Sequence, residues 1–492
     1  MTDTFNSLND VGWYGSSFLL ASAASQLFYG KIYRFWSTRI VFSVVVLIFA
    51  LGNLICALSR SSAVFTVGRA VSGLGSAGVL SGTIIIISRV APVKRRPVCL
   101  GVIGALESSA IAVGPLLGGL VADTLGWRWC FWLCLPLAGI TVLIAMVVLR
   151  DSIPSEESSL SLSGKLRQLD LASMAIFVPS VVCLILALQW GGSRYPWSSW
   201  RIVLLFVLSF CLLMAFAGLQ WRNGDDATVP PKVFLARTVC FGALYSFNTS
   251  GSLSVILYYV SSALSLQRHL TDNEQLPIWF QAIKGTSALV SGIWGLPLVI
   301  SLTLAVLASG VITPFIGYYN PSMYAGTALM CAGAGMMAVL SSTSREPFWI
   351  SCQIIFALGA GLGFQQPIIA VQTNFFGKDL PTALVLISFI QTIGGVVALS
   401  AAQNVFSNRL AASLRRLMPD AGDTDLILNT GILNMKSAFG AEEFEKVIMP
   451  AYNLSVTRVF LVATAMAAVT TIGSIGVPWR SLRAKAAVEA AV

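Results

Sequence analysis

Uncharged apolar stretches, each long enough to cross a hydrocarbon layer of roughly 30 Å, recur along almost the whole of this sequence. In lipid every backbone amide must find its partner within its own segment or in a closed barrel, so uninterrupted runs of about 20 residues predict helices rather than strands. Read between charged or Pro/Gly-rich breaks, the runs fall near 11–30, 39–58, 64–90, 98–122, 129–149, 171–189, 200–220, 238–259, 288–317, 321–341, 348–370, 382–404 and 455–477. That makes thirteen spans. Charged residues are 11% of the chain, about half the share usual in soluble domains, which excludes an ordinary soluble enzyme. With 56% hydrophobic residues, the sequence specifies an all-α polytopic membrane protein.

The net charge of +10 does not imply nucleic-acid binding, because the basic residues fall in short inter-span loops. Lys31, Arg34, Arg39, Arg89, Lys94, Arg95, Arg96, Arg222, Lys232, Arg237 and Lys378 all follow odd-numbered spans, which puts those loops in the cytoplasm. The first residue then lies outside, although Met1 to Asp10 has no apolar core of a signal peptide. Such a start fits either a missing segment ahead of it or a span merged or missed among the runs. The nine cysteines lie mostly within the runs, and Cys130 and Cys134, one helical turn apart, are poorly placed for a bridge.

Other membrane functions lack their chemistry. No G-x-x-x-x-G-K-[ST] phosphate loop occurs, so an ATP-driven pump is excluded on this chain. One histidine and scattered cysteines provide no metal cluster, and the acid pair Asp225 and Asp226 has no second acidic cluster to share a magnesium ion with. No cofactor, metal or catalytic residue is expected.

Arg69 lies inside an apolar run, where an arginine at mid-depth costs at least about 2.5 to 3.5 kcal/mol. Function, or an arginine near a helix end snorkelling to the headgroups or pairing locally, accounts for such a residue. Glu107 is a carboxylate inside the next run; burial favours its protonated form, which suits a group that takes up and releases a proton. The alternatives for Glu107 are a place near the inner mouth or a neighbouring arginine. Gln365, Gln366, Gln372 and Gln391 are neutral amides within or near spans, candidates for a substrate cavity or for joining helices. Asp123 and Asp170 lie at span ends, where capping is expected.

The blocks YGKIYRFWSTR, VGRAVSGLGSAGVLSG, AVGPLLGGLVAD and GWRWCFWLCLP, followed by LALQWGGSRYPWSSWR, LPIWFQAIKG and GLGFQQPIIAVQT, resemble the major facilitator superfamily. In order and content they are similar to its fungal fourteen-span drug:proton antiporter branch, across nearly the whole chain. The resemblance implies the facilitator fold: residues 1–150 as an N-terminal bundle of family spans 2 to 6, 151–237 as a linker with two extra spans, and 238–492 as the C-terminal bundle. It implies that the family's first span is absent here, so that thirteen of fourteen remain. It further implies a monomeric, multi-pass protein of the plasma membrane, with a small organic substrate and the proton gradient as energy source. A truncated, transport-inactive membrane protein is the alternative.

By the same resemblance Arg69 and Gly73 match the R-x-x-x-G block that organises proton coupling, with Ser72 at a position often held by Gln. Gly114, Pro115, Gly118 and Gly119 match the antiporter motif, glycines allowing close helix approach and proline allowing bending. Gly30 and Arg39 are what survives of the cytoplasmic loop motif, in which Arg34 stands where an Asp is usual, so a charge lock built on that Asp must be absent or replaced. Val260 to Gln275 interrupts the family pattern with a polar stretch carrying His269, the sole histidine. Its Val and Gln codons accommodate intron ends, and Leu270 to Asn273 can encode a branch-point-like sequence, so it reads as a retained intron or a variable outer loop. Residues 405–454 are expected to form an external loop, with Asn453 and Ser455 a sequon too near the membrane for use.

Overall fold

The computed structural model describes residues 11–149, 169–192, 195–261, 288–341, 344–417 and 449–484. Each of the thirteen apolar runs lies on helix. In order these are α1 (Val11–Phe35), α2 (Thr38–Leu58), α3 (Ser62–Val90), α4 (Arg96–Thr124), the short α5 (Trp129–Trp132) continued by α6 (Cys134–Val148), α7 (Leu171–Trp190) and α8 (Trp200–Asn223). After a one-turn α9 (Pro231–Phe234) come α10 (Arg237–Ser261), α11 (Ala288–Ile316), α12 (Asn320–Met337), α13 (Glu346–Phe364) and α14 (Gln366–Asn374). The last two are α15 (Asp379–Leu417) and α16 (Met449–Gly476). Nine helical stretches among the described residues are long and apolar enough to cross a membrane by composition alone; the other four runs lie on α1, α4, α10 and α12.

Pro97, Pro231, Pro347 and Pro367 fall in first turns, where a missing N–H costs nothing, while Pro179, Pro297 and Pro314 sit inside α7 and α11. Both ends of the expected 405–454 loop differ from the sequence reading, α16 beginning at Met449 rather than 455. α15 runs on through Leu417, well past the expected loop start at 405, because VFSNRLAASLRRL is rich in helix formers and carries Phe406 and Leu410 into the core. Hydropathy marks membrane depth, not the end of a helix. The rest of that loop, 418–448, and nearly all of the 260–275 stretch, including His269, lie outside the described residues.

α1, α2, α3 and α6 build the first bundle around α3, whose glycines admit α1 and α2 closely, and α10 to α16 build the second. The antiparallel pair α7 and α8 leans on α1 and α15. Two seams join the bundles, α1 against α15 and α4 against α11. Their cores are not alike at the two ends. At the end bearing Lys31, Arg89 and Lys378, one apolar core runs through both bundles, from Leu27, Tyr33 and Leu100 to Tyr245, Ile368 and Leu384. At the other end the second bundle has its own core around Tyr259, Trp349 and Phe460, and the first a smaller one around Tyr14, Phe65 and Phe131. The charge bias puts the joined end in the cytoplasm, so among the described residues the core shared by the two bundles lies on the inner side.

Candidate functional site between the two bundles

The R-x-x-x-G block of α3 is a clamp on α1. Arg69 Nε donates to the Tyr14 carbonyl at 2.8 Å, and its guanidinium lies 4.6 Å from the centre of the Phe18 ring. One turn on, Gly73 lets the Phe18 backbone approach so closely that a Cβ there would stand 2.3 Å from its carbonyl oxygen. Both members of the motif thus hold the same stretch of α1, in the outer part of the bundle, since Arg69 is about 10 Å along α3 from its outer end. No ion pair joins Arg69 to Glu107.

Along α4, Leu100, Glu107, Ile111, Gly114 and Gly118 share a face. Leu100 is buried in the shared core, yet Glu107 is exposed, Ile111 is 54% exposed, and a Cβ at Gly114 or Gly118 would meet nothing within 4 Å. That face therefore passes from packed core to open space over two turns. Among the described residues no hydrogen bond or ion pair reaches the Glu107 carboxylate. It stands eleven residues, about 16 Å, into α4, at mid-depth rather than at the inner mouth. Pro115 and Gly119 lie on the same unbroken helix.

Just below Glu107, α4 meets the second bundle. Gly101 faces Gly310 of α11, where a Cβ on either would come within 3.1 Å of the other's Cα. Gly104 faces Val306 and the Gln365 amide, whose nitrogen would lie 2.9 Å from such a Cβ. Gln365 sits at the break between α13 and α14, and its Oε1 has no hydrogen-bond partner among the described residues. Gln366 and Gln391 bond within the second bundle. Gln366 Nε2 donates to Ser309 Oγ at 2.6 Å and Thr313 Oγ at 3.1 Å, tying α14 to α11. Gln391 Nε2 donates to the Phe364 carbonyl at 3.4 Å, and Gln372 is buried in α14. Of the four, the structure brings Gln365 to the seam.

Gly30 packs on the first turns of α15, its Cβ position 3.4 Å from Val385 Cβ, while Arg39 reaches Met146 Sδ at 3.4 Å on the exposed flank of the first bundle. Asp123 is exposed at the end of α4. Asp170, expected only to cap, is the hub of the inner face. With φ +51°, its carboxylate accepts from Ser173 Oγ, Gln220 Nε2, Asn223 Nδ2 and both the amide and hydroxyl of Thr228. Beside it the buried Lys31 Nζ donates to the Asp226 carbonyl at 2.5 Å. Lys232 bridges Asp225 at 3.0 Å and Asp379 at 3.5 Å. The hydrogen bond from Lys232 holds the Asp225 carboxyl below its ordinary range, and Asp225 in turn raises the Lys232 ammonium. Sequence reading missed this network; polar residues clustered at the inner ends of spans 1, 6 and 7 were its one signal. The sequon lies inside α16, with Ser455 buried and Asn453 Nδ2 donating to the Leu340 carbonyl at 3.2 Å.

A sequence profile described as Major Facilitator Superfamily matches residues 1–195. Over 485 residues the chain is 39% identical to the MFS-type efflux pump MFS1 of Trichophyton rubrum, covering 99% of this chain and 87% of that protein. It is 39% identical to the MFS-type transporter astH of Aspergillus oryzae, covering 99% and 83%. Efflux pump roqT of Penicillium rubens is 37% identical over 484 residues, covering 98% and 86%. The fold is similar to that of the human organic anion transporter MFSD10, with a TM-score of 0.55 at 15% identity over 93% of this chain and 83% of that one.

Proposed function

From the premise that the chain belongs to the major facilitator superfamily, we propose that it exports a small organic molecule across the plasma membrane in exchange for protons. That it is a multi-pass membrane transporter, and not an enzyme, follows from its relatives and its helices. Export as the direction is supported by the printed names of relatives matching almost end to end. The single observation that carries proton coupling is Glu107, an exposed carboxylate at mid-depth on the α4 face that opens outward. A group in that position can exchange its proton with the outer side while the inner seams are shut. Rocking of the two bundles about the seams would then present it inward.

A second reading, a membrane protein without transport, is favoured by the outer half of α4, where a Cβ at Gly114 or Gly118 would meet nothing within 4 Å among the described residues. One experiment separates the two. Small molecules inside and outside cells are compared between a strain expressing the chain and its deletion strain, with and without a protonophore. Retention of a compound in the deletion strain, and loss of its export when the gradient collapses, is the expected result. No retained compound sinks export, and export indifferent to the protonophore sinks proton coupling.

A further inference from the structure

The segment 224–234, between α8 and α10, crosses the seam between α1 and α15, and we propose that it is a strap that holds the bundles shut on the cytoplasmic side. This rests on the reading of the chain as an alternating-access transporter. The strap is a built element. Val229 and Val233 are buried in the core shared by both bundles, and Thr228 is buried on Asp170. Gln220 Oε1 accepts from the Val229 amide at 2.8 Å, so the last turn of α8 and Asp170, the N-cap of α7, fix its path.

Its two ends are tied to opposite bundles. The Lys31 ammonium, on the last turns of α1, donates to the Asp226 carbonyl. Lys232 pairs with Asp379 on the first turn of α15. Those two helices form the seam where Gly30 meets Thr382 and Val385. Opening toward the cytoplasm separates α1 from α15 there, and the strap cannot follow both. Either the Lys31 tie or the Lys232 tie must break. The last turn of α1 carries Arg34, and Asp225, Asp226 and Asp379 bring carboxylates and a carbonyl to the same face from the linker and from α15. The two helices added between the bundles thereby acquire a role: they position the strap.

The test reads the seam and needs no transported compound. Thr382→Cys places a thiol at the buried inner end of α15, and inside-out vesicles are treated with a membrane-impermeant maleimide, labelling being quantified on the peptide that contains position 382. Lys31→Met and Lys232→Ala, which cut the two ends independently, are each expected to raise the labelling rate about two- to five-fold, the size of effect that loss of one hydrogen bond or one partly exposed ion pair supports. Lys232→Arg, which keeps the pair, is expected to stay within about one-and-a-half-fold of the parent. Native Cys352, buried in the outer half of the second bundle, must stay unlabelled in every variant, which separates an opened seam from an unfolded protein. Unchanged labelling in Lys31→Met, or in Lys232→Ala, overturns the strap. Loss of compound export in the unaltered chain would instead remove the transporter reading while leaving the labelling result standing.

Discussion

Gly101 on α4 and Gly310 on α11 touch across the inner seam, the Cβ position of Gly101 lying 3.0 Å from the Gly310 Cα and that of Gly310 lying 2.8 Å from the Pro97 carbonyl. Backbone, not a flexible side chain, faces each glycine, so neither bundle can give way locally. Gly310→Ala is therefore expected to push the helices apart at a cost of about 1 to 3 kcal/mol. Purified protein should melt several degrees lower, and the inner seam should label faster. A melting point equal to that of the parent would mean that the close approach contributes nothing.

Arg69→Lys keeps the charge and loses the clamp, because an ammonium has no Nε to donate at the Tyr14 carbonyl and no plane to lie over Phe18. The loss is expected at about 1 to 3 kcal/mol of stability, together with slower export. Thermal unfolding in detergent is the check. If Arg69→Lys leaves stability intact and abolishes export, the residue acts in transport and not by holding α1.

Glu107→Gln should leave folding unchanged, since no described residue bonds the carboxylate. Export should continue to need the protein and stop responding to the imposed proton gradient. Flux measured at several gradients in vesicles decides it, and an unaltered response would remove Glu107 from the coupling step.

The Lys232 end of the strap is expected to be indifferent to pH over the physiological range. Asp225 is held below the ordinary carboxylate range and Lys232 above the ordinary ammonium range. The contribution of the acid is present above its unfolded pKa and lost as pH falls through the lowered one; that of the base is present below its unfolded pKa and lost as pH rises through the raised one. Burial pushes the Lys31 ammonium at the other end down to about 8, so all three groups are charged only between about pH 5 and pH 7, where seam labelling, normalised to a reference thiol, should be flat. A rise within that window would point to a different titrating group.

Asn453 carries no glycan on this structure's terms, because its amide is inside α16 and bonded to the Leu340 carbonyl. Treatment with an amidase that removes N-glycans should leave electrophoretic mobility unchanged, and Asn453→Gln should do the same. A mobility shift on treatment that Asn453→Gln abolishes would require this end of α16 to unwind.

Hydropathy alone determined that the chain is helical and spans a membrane, and where its thirteen apolar runs lie, because in lipid a segment must satisfy its own backbone and its length is set by the bilayer. Single residues also stood out. Arg69 and Glu107 were legible because a charge in an apolar run is costly enough to be conspicuous, and Gly101 and Gly310 were not, because a glycine in a glycine-rich chain looks like its neighbours. Which helices meet is a different matter. Sequence periodicity fixes the faces of a helix but not the partner that covers each, so the sharing of one core at the inner end and its division at the outer end emerged only from packing. The same holds for Asp170 and the strap: hydrogen bonds between residues 170, 220 and 228 join points distant in sequence, and nothing in local composition predicts that a span-end aspartate will collect five of them. Tertiary structure decided those contacts because they depend on the relative placement of whole helices, which no single apolar run encodes.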